Sequence, residues 1–132
     1  MAKIIVIDDE EDIRDTLKEV LNRAGFEVGV ADNGDDGLDL LRNSGADLVI
    51  TDIIMPGKDG VDTVYDIRME FPNTPVIVIS GGGNVMPMDY EPHAIKTEAY
   101  LASASKAGAD VTLTKPFDRE ELLAAVNGLL QA

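Results

Sequence analysis

Five short runs of aliphatic and β-branched residues, Ile4 to Ile7, Phe26 to Ala31, Leu48 to Thr51, Val76 to Ile79 and Val111 to Leu113, alternate with segments of helical spacing. That alternation limits the chain to few architectures. Strand, helix, strand, repeated along one chain, builds a parallel sheet with right-handed crossovers and helices on both faces. Runs of Val and Ile without polar alternation suit strands buried on both sides. The first intervening segment places Ile13, Leu17, Val20, Leu21 and Ala24 on one stripe and stops at Gly25, a residue suited to a left-handed C-terminal cap. The last places Leu122, Val126, Leu129 and Leu130 likewise. Asp118 with Glu121 forms a capping box at its start, Asp replacing the usual Ser or Thr. Shorter helices are expected around Asp35 to Asn43 and Asp62 to Glu70, and a further one at about Pro92 to Ala107.

A chain of 132 residues with 45% apolar content suffices for one core, so a single domain over residues 1–132 is expected. No apolar run approaches the length of a bilayer span, and Met1-Ala2-Lys3 leads into a strand without a signal-peptide pattern, which points to a cytoplasmic location. The absence of cysteine excludes disulfides and thiolate metal sites. Any metal must be held by oxygen or by His93, and a lone imidazole reads as a surface residue. A formal charge of −14, from 25 acids and 11 bases, opposes direct binding to nucleic acid or to an anionic membrane.

In sheets of this kind ligands bind outside the carboxyl ends of the strands. Polar residues stand at four of those ends: Asp8-Asp9, Asp52, Ser80 and Lys115-Pro116. The second strand, ending in Ala31-Asp32, reads as a non-participating edge. An internal echo, "GADLVITD" at Gly45 to Asp52 and "GADVTLTK" at Gly108 to Lys115, is expected to put Asp52 and Lys115 at one level. Carboxylates about 5 Å apart at an effective dielectric near 20 repel by roughly 3 kcal/mol per pair, so such a rim calls for a cation. An oxygen-bound divalent ion, Mg²⁺ or Mn²⁺, fits that role. With cation and ammonium beside it, Asp52 is a nucleophile able to take a phosphoryl group, and the Ser80 hydroxyl can donate to one of its oxygens. Glu10, Glu11 and Asp12 read as acids decorating the first turn of a helix. Asp47, Asp59 and Asp110 read as structural, and Lys58 as a solvated loop residue.

At these residues the chain resembles the receiver domains of two-component response regulators. "DD" at Asp8-Asp9, "DIIMPGKDG" from Asp52 to Gly60, Ser80 and "KPF" at Lys115 to Phe117 carry the resemblance, which runs from Lys3 to about Leu130. It implies a flavodoxin-like sheet in the order 2-1-3-4-5. Because the sequence stops at its last helix, a stand-alone phosphoacceptor that signals by binding another protein is expected, with a signalling domain excised from a longer protein as the other reading. The resemblance also implies transfer to Asp52 from a phosphohistidine on a histidine kinase or histidine phosphotransferase. By the same resemblance Asp9 is the direct Mg²⁺ ligand, Asp8 acts mainly through water, Asp52 itself ligates, and the Ile54 backbone carbonyl completes the set.

Two features depart from the family pattern. Thr112 stands where a Tyr or Phe usually does, which removes the aromatic half of the hydroxyl-to-aromatic relay. The crossover between the fourth and fifth strands, about residues 81–108, is longer than usual and opens on "GGGNVMPMDYEP"; a partner surface or lid is one reading of it and a packed surface insertion the other. Ile54 and Gly82, each two residues past Asp52 and Ser80, cannot orient a water, so a long-lived aspartyl phosphate is expected. Three alternatives remain: an Asp-nucleophile phosphatase, disfavoured because Ile54 replaces the second acid; a flavin carrier, disfavoured by acids where a phosphate loop belongs; and a receiver-like interaction module that takes no phosphate.

Overall fold

The computed structural model describes residues 2–53, 60–80, 108–114 and 117–131. Its elements are β1 (Lys3–Ile7), α1 (Glu11–Arg23), β2 (Glu27–Ala31), α2 (Gly34–Ser44), β3 (Leu48–Asp52), α3 (Gly60–Glu70), β4 (Val76–Ser80), β5 (Val111–Thr114) and α4 (Arg119–Leu130). The five strands are parallel in the order β2-β1-β3-β4-β5, so the expected doubly wound, flavodoxin-like sheet is what forms. β2 is an edge, as its end residues suggest. The expected helix at Pro92 to Ala107 and nearly all of the crossover at 81–108 lie outside the described residues, as do Lys58, Asp59 and His93.

Strand pleat sorts the core into two layers. Ile5, Ile7, Val49, Ile53, Val76 and Val78 face Leu38 and Leu41 of α2 and Val64 and Ile67 of α3. Ile4, Val6, Leu48, Ile50, Ile77 and Ile79 face Leu17 and Leu21 of α1 and Leu122 and Val126 of α4. Alternate residues of one strand thus serve opposite faces, which is why unbroken aliphatic runs are needed in β1, β3 and β4. The helix ends follow their sequence signals. Gly25, just past the end of α1, has a φ of 100°, and the Asp118–Glu121 capping box is formed.

Acids at the amino end of the sheet are bonded between elements. Asp47 Oδ2 accepts from the Lys3 backbone N–H at 2.8 Å. Asp110 Oδ2 accepts from the Val76 N–H at 2.8 Å and from Arg68 Nη2 at 2.7 Å. Arg68 also donates to the carbonyls of Pro72 and Gly108, each at 2.7 Å, tying α3 to the entry of β5. The structural reading of Asp47 and Asp110 is what the geometry supports.

Candidate functional site

At the opposite end of the sheet, β1 and β3 are in register with Ile7 beside Thr51. Their next residues, Asp8 and Asp52, therefore come level on adjacent strands. Both are buried, at 1% and 4% exposure, which is unusual for acids and marks this rim apart from the rest of the surface. Each has one carboxylate oxygen fixed by the backbone: Asp8 Oδ1 accepts from the Glu10 N–H at 2.9 Å, and Asp52 Oδ1 from the Ile53 N–H at 2.8 Å. Asp9 is exposed beside them.

The backbone around both acids is held from several directions. Asp8 N–H donates to the Ala31 carbonyl at 3.1 Å, and the Asp8 carbonyl accepts from Arg14 Nη1 of α1 at 2.8 Å. Past Asp52, Ile53 N–H donates to the Ile79 carbonyl at 3.0 Å, and Gly60 N–H to the Ile53 carbonyl at 2.7 Å. Gly60 packs so closely that a Cβ there would overlap the Asp52 carbonyl oxygen and Ile53 Cα. A glycine is therefore required where α3 begins. Sequence reasoning missed Arg14 and the need for Gly60. Nothing in the spacing signals the first, while a glycine opening a helix after an acidic strand end was a usable sign of the second.

Ser80 closes β4. Its side chain is fully buried, and Oγ has no hydrogen-bond partner among the described residues. In register Asp52 pairs with Ile79, so Ser80 stands one residue beyond the Asp52 level on the neighbouring strand. By the pleat it belongs to the face of Val76 and Val78, whereas Asp52 belongs to that of Leu48 and Ile50.

One expectation is corrected here. Ile79 pairs with Leu113, so the residue of β5 at the level of Asp52 is Leu113 and not Lys115. The echo implied an offset two residues too long. A two-residue shift keeps every side chain on its original face, so the hydrophobic pattern alone does not choose between the two registers. Lys115 and Ile54 themselves lie outside the described residues. Thr112 is exposed and sits beside Val78.

One carboxylate oxygen from each of Asp8, Asp9 and Glu10 lies within 4.8 Å of the other two. An all-oxygen set of this charge fits a hard divalent cation, and the residues present are suited to hold one. Glu10 was read from sequence as decoration of a helix start. Its place in this set was not foreseen.

Comparison with known proteins follows the same lines. The model of the response regulator receiver domain matches residues 4–127. The transcriptional regulatory protein YrkP of Bacillus subtilis is 41% identical over 124 residues, covering 94% of this chain and 47% of the relative. CpxR of Escherichia coli is 36% identical over 131 residues, covering 99% and 50%. This chain spans about half the length of the curated relatives it matches. Among solved structures, a response regulator receiver domain protein of Clostridium thermocellum superposes with a TM-score of 0.81 at 34% identity, covering 99% of this chain and 95% of that one. The receiver domain of NtrX from Brucella abortus gives 0.82 at 32%, covering 98% of each. Among the described residues no helix is long and apolar enough to cross a membrane.

Proposed function

The chain belongs to the response regulator receiver family, and on that premise we propose that Asp52 is the acceptor of a phosphoryl group delivered by a phosphohistidine partner. The observation that carries the proposal is the placing of Asp52: a buried carboxylate ending the central strand, level with a second buried acid on the next strand. In the transfer an Asp52 oxygen attacks phosphorus as the bond to the donor imidazole nitrogen breaks. The imidazole leaves with the electron pair and takes a proton from solvent. Backbone contacts around Ile53 and Gly60 hold the nucleophile in place, so little reorganisation is needed at the moment of attack.

Asp8 and Asp9, with Asp52 and the Ile54 carbonyl, would hold Mg²⁺ or Mn²⁺, which when bound neutralises charge on the phosphoryl oxygens. Ser80 offers a buried hydroxyl without a partner among the described residues, and an oxyanion within reach would accept from it. Lys115 supplies an ammonium to the same charge. The family implies a histidine kinase or phosphotransferase as donor, and an output that switches protein contacts without direct nucleic-acid binding by this domain. Sequence positions 54 and 82 offer no group to orient water, so the aspartyl phosphate should persist well beyond seconds in the purified, magnesium-replete domain.

The test is the addition of beryllofluoride with Mg²⁺, an aspartyl-phosphate mimic, followed by amide resonances. Shifts centred on Asp9, Ile53 and Ser80 are expected. A spectrum unchanged at saturating mimic overturns the proposal and leaves a receiver-shaped interaction module in its place.

A further inference from the structure

Glu10 is the N-cap residue of α1, extended at φ −95° and ψ 119°, yet its side chain makes no capping hydrogen bond. Its backbone N–H is held by Asp8 Oδ1, so the residue is tied directly to the buried acid at the end of β1. One oxygen of its carboxylate lies within 4.8 Å of an oxygen of Asp8 and of an oxygen of Asp9. Among the described residues the Asp9 and Glu10 carboxylates enter no hydrogen bond or ion pair. The buried carboxylate of Asp52 stands level with Asp8 on the adjacent strand, so Asp8 is the member of the set that neighbours the proposed phosphoacceptor.

Resting on the cation reading above, we propose that Glu10 is a further carboxylate donor to the cation that Asp8, Asp9 and Asp52 would hold. The consequence is a change in selectivity as well as affinity. Mg²⁺ keeps several waters and is satisfied by one or two carboxylates, whereas Ca²⁺ takes six to eight oxygens and gains from each added one. Removal of the Glu10 carboxylate should therefore weaken both ions and Ca²⁺ the more. Glu10 is exposed, so its replacement leaves the core untouched.

The experiment is calorimetric titration of the full chain with MgCl₂ and with CaCl₂, for wild type, Glu10→Gln, Glu10→Asp and Glu11→Gln. Glu11 is an exposed acid on the first turn of α1 and reports the general field of a nearby charge. Glu10→Gln should raise the Mg²⁺ dissociation constant about threefold to tenfold and the Ca²⁺ constant further, with Glu10→Asp between it and wild type. Glu11→Gln should change either by less than about twofold. The difference should survive about 1 M NaCl, where the screening length is near 3 Å and a field effect is lost. Equal constants for the two Gln variants, or a difference that vanishes in high salt, overturn the role of Glu10 while the cation site stands. A wild-type protein that binds neither ion overturns the cation reading and this inference together.

Discussion

At the amino end of the sheet Asp47 and Asp110 accept hydrogen bonds from other elements, a strand N–H in one case and a strand N–H with a guanidinium in the other. At the carboxyl end Asp8, Asp9 and Glu10 are gathered against one another, and the Glu10 N–H donates to Asp8 Oδ1. The residue type is the same and the energetic sense is reversed. An acid bonded to donors of other elements stabilises the fold, whereas acids massed together oppose it until a cation or a reacting group arrives. The difference teaches that partners, more than residue identity, separate a structural carboxylate from a functional one.

The sharpest way to probe the carboxyl end is through its packing. Gly60→Ala should destabilise by about 1–3 kcal/mol, because its methyl must displace backbone at Asp52 and Ile53. Thermal or urea unfolding measures this, and a neutral result would mean that the rim is loosely held. Asp110→Ala probes the amino end and should cost about 1–2 kcal/mol, since the buried Val76 N–H loses its acceptor and Arg68 a charge partner. Asp9→Asn should move the other way. In metal-free buffer it relieves repulsion and should raise stability by a few tenths of a kcal/mol, while Mg²⁺ protection against unfolding is lost. A destabilising Asp9→Asn without metal would break the comparison.

The smallest effect belongs to a surface pair that joins α2 to α3. Arg42 donates Nε and Nη2 to the Glu70 carboxylate, and that hydrogen bonding holds the Glu70 carboxyl below its ordinary value of 4.5. A depressed folded value means that the contribution is present above the unfolded value and is lost as pH falls through the folded one. Glu70→Gln should therefore show a slightly shallower loss of stability below about pH 4.5 than wild type. The pair lies at the surface, so salt should erase the difference.

Much of this was legible in the sequence. β1, β3 and β4 show as aliphatic runs because both their faces are buried, and the start of α4 shows because a capping box needs two residues at a fixed spacing. Asp8, Asp9, Asp52 and Ser80 were located by asking only what ends each strand. Register was less legible. The Gly-Ala-Asp echo aligns two strands that never touch, and β4 between them sets the true offset through its own pairings. Arg14 and Glu10 were missed for a different reason. Each acts through a contact with the end of β1, and acids or bases at a helix start are ordinarily solvated.

The most direct test of the central claim is the intact mass of the protein after incubation with a small phosphodonor and Mg²⁺. Wild type should gain one phosphoryl group and Asp52→Asn none, and chelation of the cation should prevent the gain. A wild-type mass that stays unchanged, or an equal gain in Asp52→Asn, would contradict the account.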